Sequence, residues 1–379
     1  MDVKVILVGA GHAGIATAAA LKKRGVDALV LERSGQIGSS WIGRYDSLRL
    51  NTERWGSRLP GMRLDTGCGR WPSGREFAEY LRRYAERSGI PIQFATEVKR
   101  IDKSVGKGYC LQTSSGPMSS LFVILATGPD CEADMPDWPG IGTYTGELLH
   151  SASYRQPFKY IDKSVLVVGG GESGADIATD LVRHGAKKVS LSVRNPPYIV
   201  TPDFCGIPSQ FLAITARWQP RPVFDFFANL MRRLSSGDLS EYGLPMAPSL
   251  HDSARVRGKP PILDRGFVEM VRARRIEIVP AVEAIDGSSV SLSGAVEMFP
   301  DVVIAATGYR TGMEPLVGHL GVLDGRGRPV VNGAVTHPNA EGLFFVGYLP
   351  VLSGAIREAG RMASKIARAV HGGLRSTSL

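Results

Sequence analysis

The stretch VKVILVGAGHAGIATAAALKKRGVDALVLER, residues 3–33, decides the fold. An apolar, β-branched run breaks at GAGHAG, an alanine-rich segment follows, and a second apolar run ends the stretch. This order is typical of a strand–helix–strand unit in a parallel sheet. Because Gly9, Gly11 and Gly14 come directly after the first strand and open the helix, the stretch predicts a dinucleotide-binding loop.

Each of the three glycines has its own physical role in such a loop. Gly9 permits the tight turn, Gly11 lets the backbone approach a pyrophosphate, and Gly14 lets the helix pack closely on the strand. Glu32 ends the second strand, where a carboxylate can accept hydrogen bonds from ribose hydroxyls. The alternative, a glycine-rich turn that packs on itself, explains Gly14 but not Glu32.

A second unit, SVLVVGGGESGADIATDLVRHGAKKVSLSVR, spans residues 164–194 and repeats the pattern with Gly169, Gly171 and Gly174. Its second strand lacks a terminal acid and is followed by Arg194 instead. A carboxylate would repel a 2′-phosphate, whereas a guanidinium can bind it bidentately. The second unit therefore favours NADPH over NADH, and the acid of the first favours FAD. The alternative for Arg194 is an ordinary surface arginine.

Two further segments, LFVILATGP (121–129) and DVVIAATGY (301–309), each end an apolar strand in Ala-Thr-Gly. We interpret them as crossings between domains. This arrangement of two glycine-loop units and two Ala-Thr-Gly strands resembles flavoproteins with an α/β fold. In those proteins two Rossmann-like domains bind dinucleotides, and the NADPH domain is inserted into the FAD domain. The expected FAD domain is 1–155 plus 310–379, and the expected NADPH domain is 156–309, with a substrate lid at 203–262.

Composition narrows the classes of partner. The hydrophobic share of 43% and charged share of 21% are ordinary for a globular protein. The net charge of +9 is scattered along the chain, which favours a solvated basic face over a nucleic-acid surface. The sequence contains no run of 18 apolar residues, so it predicts no transmembrane segment. The four cysteines have no metal-ligand spacing, so we expect a cytoplasmic protein without a metal; a homodimer is left open.

The segment YTGELLHSASY, residues 144–154, resembles the F-x-G-x-x-x-H-x-x-x-[F/Y/W] fingerprint of flavin-containing monooxygenases. Its matching residues are Tyr144, Gly146, His150 and Tyr154, and it lies between the first Ala-Thr-Gly and the second glycine loop, as in that family. Four further segments resemble this family or its plant YUCCA-type members: RYDSLRLNTERWGSRLPG (44–61), GDLSEYGLP (237–245), PILDRG (261–266) and AATGYRTG (305–312).

One position departs from the fingerprint, because Tyr144 replaces phenylalanine. The ring is kept, but its hydroxyl needs a partner if it is buried. Baeyer–Villiger relatives carry a longer ending than the one at Tyr154. The resemblance therefore favours heteroatom oxygenation or YUCCA-like decarboxylative chemistry over insertion next to a ketone.

The resemblance also implies a mechanism. NADPH reduces FAD, O2 forms a C4a-(hydro)peroxyflavin, and one oxygen atom passes to a small organic substrate by N- or S-oxygenation or by YUCCA-like oxidation. Asn51 matches the family's catalytic asparagine, its alternative being a residue that holds a turn. We interpret His150 as a support of the domain junction rather than a proton carrier. The remaining expected contacts are Arg33, Ser40, Trp41, Thr127, Gly128 and Gly347 for FAD, and Ser173 for NADPH.

Other functions stay open at this point. Disulfide reductases of this architecture need a paired redox-active cysteine, and no such pair is present among Cys68, Cys110, Cys131 and Cys205. An NADPH oxidase, a reductase serving a partner, and a non-catalytic nucleotide-redox sensor remain alternatives. Residues 224–234 fit either the substrate lid or, because the cations Arg232 and Arg233 lie near their end, a helix on a membrane surface. The sequence does not select the substrate.

Overall fold

The computed structural model describes residues 3–216, 220–247, 249–250, 260–349, 351 and 353–377. A first parallel sheet has the strand order β22 (Leu343–Phe345), β7 (Phe122–Leu125), β1 (Val5–Val8), β2 (Leu29–Leu31) and β3 (Ile92–Gln93), with labels numbered in chain order. Every residue of β1 is buried, as its unbroken apolar run requires in a strand covered on both faces.

A second parallel sheet has the order β16 (Ile276–Val279), β11 (Lys188–Ser192), β10 (Ser164–Val168), β20 (Val302–Ala305) and β9 (Glu147–His150). Its strands fall between β7 and β22 in the chain, so the second Rossmann-like unit is inserted into the first. This confirms the predicted fold class. Strand β9 belongs to the second sheet although the expected boundary at residue 155 groups it with the first domain; the boundaries themselves stay a prediction.

The smaller sheets carry the remaining strands. One antiparallel set comprises β4 (Val98–Lys103), β5 (Tyr109–Thr113) and β6 (Gly116–Ser120), and another comprises β17 (Val282–Asp286), β18 (Ser289–Leu292) and β19 (Val296–Met298). The two-stranded pairs are β8 (Glu132–Ala133) with β21 (Tyr309–Arg310), β12 (Ile199–Val200) with β15 (Ile262–Leu263), and β13 (Asp203–Phe204) with β14 (Ile207–Pro208). The β8–β21 pair lies just past the two Ala-Thr-Gly segments.

The helices pack around these sheets. They are α1 (His12–Lys22), α2 (Ser39–Ile42), α3 (Gly74–Ser88), α4 (Glu172–Arg183), α5 (Ser209–Ala216), α6 (Arg221–Ser235), α7 (Phe267–Arg272), α8 (Glu314–Val317) and α9 (Ala355–Thr377). The alanine-rich α1 packs along α9, since small side chains allow close approach. Within the described ranges, no helix is both long and apolar enough to cross a bilayer.

The capping of α3 shows why its boundaries fall where they do. The Ser73 side chain accepts a hydrogen bond from the Glu76 amide, and the Glu76 carboxylate accepts one from the Ser73 amide in return. Gly89 ends the helix in the left-handed conformation, with a φ of 57°. The helix therefore holds Phe77 and Tyr80 at a fixed position in the hydrophobic core that packs against the first sheet.

Candidate active site

The first glycine loop has one closed side and one open side. Gly9 has a φ of 105°, and a Cβ at this position would lie 2.6 Å from the carbonyl oxygen of Ala126. A Cβ at Gly14 would collide with the carbonyl oxygen of Gly9. At Gly11, the N-cap of α1, a Cβ would meet nothing within 4 Å. The loop therefore needs Gly9 and Gly14 for its own packing, and Gly11 leaves its outer face open to a ligand.

Glu32 lies beside this loop and is buried. Its carboxylate accepts hydrogen bonds from the Ala10 amide at 2.7 Å and from the Ser34 amide and hydroxyl at 2.9 and 2.8 Å. A carboxylate has about four acceptor sites, so roughly one remains for a ribose hydroxyl. The adjacent Arg33 is exposed.

The segment that holds Ser40 and Trp41 forms α2 and lies next to the loop. The Gly38 amide donates to the Ala10 carbonyl at 3.4 Å, and the Trp41 ring meets the ring of Phe77 edge-on at 5.0 Å. Ser40 is exposed. His12, the first residue of α1, faces Trp41 at 6.1 Å, and burial lowers its pKa to about 4. His12 is therefore a neutral ring that packs beside Trp41 and Phe77.

The strand ends contribute Thr127, Gly128 and Gly347. The Tyr348 hydroxyl lies 3.0 Å from the Thr127 amide and 2.9 Å from its hydroxyl, and burial raises the pKa of Tyr348. Gly128 has a φ of 87° and open space where a Cβ would stand. A Cβ at Gly347 would lie 3.2 Å from that of Ala13 in the first turn of α1. These strand ends therefore meet the first glycine loop.

The second glycine loop repeats the geometry of the first. Gly169 has a φ of 126°, a Cβ at Gly174 would collide with the Gly169 carbonyl oxygen, and Gly171 is the open N-cap of α4. Ser173 is half-buried in the first turn of α4. Arg194 is exposed two residues past the end of β11. The repeat therefore offers an open anion site with an exposed guanidinium at the neighbouring strand end.

Asn51 is exposed, and the side chain of Arg265 connects it to the start of α4, next to the second glycine loop. The Arg265 Nη2 atom donates to the Asn51 Oδ1 at 3.2 Å and to the Leu50 carbonyl at 2.9 Å. Arg265 Nη1 lies 3.6 Å from Glu172 Oε1, and Glu172 is the first residue of α4. One side chain thus separates the predicted catalytic residue from the predicted NADPH loop.

The fingerprint begins with two residues that fit each other. The Tyr144 hydroxyl donates to the Pro300 carbonyl at 2.6 Å, and burial, followed by the charge of Asp301, raises its pKa to about 12. The hydroxyl that phenylalanine lacks therefore has its partner. A Cβ at Gly146 would lie 2.6 Å from that hydroxyl and 2.7 Å from the Asp301 carbonyl, so only glycine fits without a shift.

The other two fingerprint residues are held on both sides. His150 Nδ1 accepts from the Ala152 amide at 3.0 Å, which makes Nε2 the protonated nitrogen that donates to the Gly308 carbonyl at 3.0 Å. Burial lowers the pKa of His150. The buried Tyr154 donates to Asp180 Oδ2 at 2.9 Å. His150 thus joins the second sheet to the segment after β20, and Tyr154 joins the end of the fingerprint to α4.

The start of the expected lid is fixed against the loop that follows Asn51. Gln210 of α5 donates to the Ser353 carbonyl at 2.8 Å, and a Cβ at either Gly56 or Gly354 would collide with its amide group. Arg70 donates to Asp203 at 2.8 Å. The described part of this segment therefore contacts residues of the expected FAD domain through both Asp203 and Gln210.

Helix α6 shows a difference from the membrane interpretation. That interpretation counted Arg232 as a surface cation, but Arg232 is buried and donates to the Ala247 carbonyl at 2.8 Å. The exposed side chains of α6 include the cation Arg233 and several apolar residues, Phe226 at 64% and Leu234 at 67% exposure among them. Exposed apolar side chains are expected of both a lid and a membrane-surface helix, so both stay predictions.

Sequence reasoning missed a polar network at the junction of the two units. Tyr45 donates to Asp176 at 2.8 Å, and Ser47 donates to Asp180 at 3.0 Å. Arg265 lies in the segment PILDRG, whose resemblance to the family assigns it no role. The spacing of Glu172, Asp176 and Asp180, which places one acid per turn on α4, is the signal that could have indicated a polar face toward a partner segment.

Comparisons with known proteins identify the family of the chain. A family model described as pyridine nucleotide-disulphide oxidoreductase matches residues 6–202. The chain is 33% identical over 321 residues to probable indole-3-pyruvate monooxygenase YUCCA8 of Arabidopsis thaliana, covering 81% of this chain and 74% of that protein. It is 32% identical over 386 residues to probable indole-3-pyruvate monooxygenase YUCCA1 of the same plant, covering 98% and 92%.

A solved structure extends the likeness to the fold. The flavin-containing monooxygenase from Stenotrophomonas maltophilia superposes with a TM-score of 0.76 at 22% identity, covering 98% of this chain and 99% of that chain. At this identity the match speaks for the fold alone. The sequence relatives, which span most of both chains, therefore carry the assignment of the family.

Proposed function

This chain belongs to the flavin monooxygenases that include the YUCCA enzymes, and from that premise we propose that it oxygenates an aromatic 2-oxo acid such as indole-3-pyruvate. It is an FAD- and NADPH-dependent monooxygenase. The observation that supports the proposed substrate is the identity of 30–33% over most of the chain to relatives named for indole-3-pyruvate. N- and S-oxygenation are the other outcomes of the test below.

The first glycine loop fits FAD. Gly11 leaves space beside the amide groups at the start of α1, where a pyrophosphate would be held. Glu32 would use its remaining acceptor site for a ribose hydroxyl. Ser40, Trp41, Thr127, Gly128 and Gly347 surround the same loop and would contact the rest of the cofactor. Once bound, NADPH would supply two electrons and FAD would pass them to O2, which lets one oxygen atom of O2 enter the substrate.

The second loop fits NADPH by the same reasoning. Gly171 leaves the start of α4 open, and Ser173 lies in the first helical turn. Arg194 follows the neighbouring strand, where a guanidinium would bind the 2′-phosphate bidentately. Its exposure leaves its donors free to reach an incoming phosphate.

Asn51 would act beside the reacting atoms. Its oxygen already accepts from Arg265, so the amide nitrogen is the end that can donate to a bound ligand. His150, by contrast, uses both ring nitrogens inside the protein. We therefore assign Asn51 to the ligand and His150 to the junction of the two units.

The proposed overall reaction balances. A 2-oxo acid, O2, NADPH and one proton give the shortened carboxylic acid, CO2, NADP⁺ and water. One oxygen atom of O2 enters the new carboxyl group and the other leaves as water. The bond between the keto and carboxyl carbons breaks.

A substrate panel tests this proposal. Purified protein with bound flavin is supplied with NADPH and O2, and NADPH loss, peroxide and product are measured for indole-3-pyruvate, phenylpyruvate, a thioether and a tertiary amine. The proposal expects the 2-oxo acids to give product and to suppress peroxide. Product from the thioether or amine alone would replace the proposed substrate class.

We infer a cytoplasmic enzyme without a nucleic-acid partner, supported by the four free thiols and the scattered basic charge. Light scattering on the purified protein would decide between monomer and homodimer.

A further inference from the structure

Arg265 occupies an unusual place between the two nucleotide units. It lies in the segment after β15, its side chain is about four-fifths buried, and its backbone carbonyl accepts a hydrogen bond of 2.6 Å from Arg183. One end of its guanidinium is saturated by the Leu50 carbonyl and the Asn51 side chain. The segment is therefore held in place while the guanidinium reaches across to the loop that carries Asn51.

The other end of the guanidinium faces two acids of α4. Nη1 lies 3.6 Å from Glu172 Oε1 and 3.7 Å from Asp176 Oδ2, and in the described part of the chain neither Nη1 nor Glu172 Oε1 has a hydrogen-bond partner. The second oxygen of Glu172 accepts from the Leu263 amide at 2.8 Å. These two acids are thus the anchor of Arg265 on α4, and they leave its hydrogen bonds to the Asn51 segment intact.

The same anchor is tied to the first unit by Tyr45, whose hydroxyl donates to Asp176 Oδ2 at 2.8 Å. Tyr45 and Asn51 belong to one segment, which therefore touches the acids directly at one end and through Arg265 at the other. We propose that Arg265 is a positioning residue, which fixes the orientation of the Asn51 amide relative to the NADPH loop. This inference rests on the proposed role of Asn51.

The orientation matters because an amide has two unlike ends. A guanidinium can only donate, so it selects the Asn51 oxygen and turns the Asn51 nitrogen toward the ligand. Without Arg265, the amide could rotate and present its oxygen instead. Misplaced donors near the reacting oxygen would let it escape as peroxide before it reaches the substrate.

The experiment compares Arg265→Met, Arg265→Lys and a matched control, Arg272→Met, which removes another arginine that donates to a backbone carbonyl, that of Ser236. With NADPH saturating, Arg265→Met should raise the ratio of peroxide to product roughly tenfold, the effect of about one hydrogen bond from a charged group. Arg265→Lys should restore part of the coupling, since an ammonium also donates. Arg272→Met should leave the ratio unchanged. Equal ratios in Arg265→Met and wild type would overturn the proposal.

A double-mutant cycle separates positioning from a purely structural role. In an Asn51→Ala background, Arg265→Met should add no further peroxide, because the amide on which it acts is gone. Independent, multiplicative effects of the two changes would overturn the proposal.

A second cycle needs no turnover. It measures NADP⁺ affinity and the midpoint of thermal unfolding for the wild-type protein, the Arg265→Met and Asn51→Ala variants and the double variant. We expect the changes in the double variant to differ from the sum of the changes in the two single variants. Failure of every protein, wild type included, to form product would reject the proposed function, and additivity in this second cycle would then reject the role of Arg265 separately.

Discussion

The Nε2 atom of His150 lies 3.0 Å from the carbonyl oxygen of Gly308, and this bond ties the end of β9 to the segment after β20. Since the other ring nitrogen accepts from Ala152, the imidazole is neutral and fully used. We predict that His150→Ala lowers the free energy of unfolding by about 1–3 kcal/mol, the cost of unpaired buried groups. Chemical denaturation measures this change.

The lowered pKa of His150 makes the stability of the wild-type protein depend on pH. Because burial lowers its pKa, the unfolded chain binds the proton more readily, so the wild-type protein loses stability as pH falls below about 6.5. His150→Ala should lack that contribution. Turnover per folded molecule should keep the wild-type pH profile; loss of one limb of the profile would show that His150 carries a proton.

The two glycine substitutions in the first loop should have opposite consequences. Gly14→Ala places a methyl group against the Gly9 carbonyl oxygen, so we expect little folded protein. Gly11→Ala places its methyl in open space, so the protein should fold. The new methyl should instead obstruct the pyrophosphate, and flavin content per folded chain should drop about tenfold or more. Full flavin content in folded Gly11→Ala protein would place the cofactor elsewhere.

Arg194 should distinguish the two nicotinamide nucleotides. Arg194→Ala is expected to raise the KM for NADPH roughly tenfold while leaving the KM for NADH unchanged, because only NADPH carries the 2′-phosphate. The control is Lys187→Ala, which removes an exposed charge just before β11, at the opposite end of that strand. Equal losses for both nucleotides in Arg194→Ala would reject the assignment.

Glu172 should make stability depend on pH in the opposite sense. Burial, followed by the charge of Asp176, raises the pKa of Glu172 to about 8. The folded state therefore holds a proton that the unfolded chain releases, and stability should fall as pH rises from about 4.5 to 8. Glu172→Gln, which mimics the protonated form, should gain stability over the wild-type protein across this window. Calorimetry of both proteins from pH 5 to 9 measures the difference; a constant difference would contradict it.

The fold was predictable because its signals are local. Within 31 residues, Val3–Arg33 contain strand, turn, helix and strand, and each glycine has a steric reason that does not depend on distant residues. The inserted second unit followed from repetition of the same pattern. The expected domain boundary is less secure, since β9 joins the second sheet through contacts with β20 that lie far away in the sequence.

The details of the site depend on contacts that sequence spacing does not encode. Arg265 and Asn51 are 214 residues apart, and their hydrogen bond exists only because the two units pack together. The burial of Arg232 likewise depends on Ala247, which no helical period predicts. Sequence therefore indicated which residues to consider, and packing decided which of them meet.

The proposed monooxygenase reaction is tested most directly by supplying ¹⁸O₂ to the flavin-loaded protein with NADPH and indole-3-pyruvate and following the label by mass spectrometry. We predict one labelled oxygen atom in the organic acid for each NADPH consumed in product formation, with the second in water. NADPH consumption matched entirely by labelled peroxide would contradict it and identify an oxidase. Absence of flavin reduction by NADPH would contradict it in favour of a nucleotide-redox sensor.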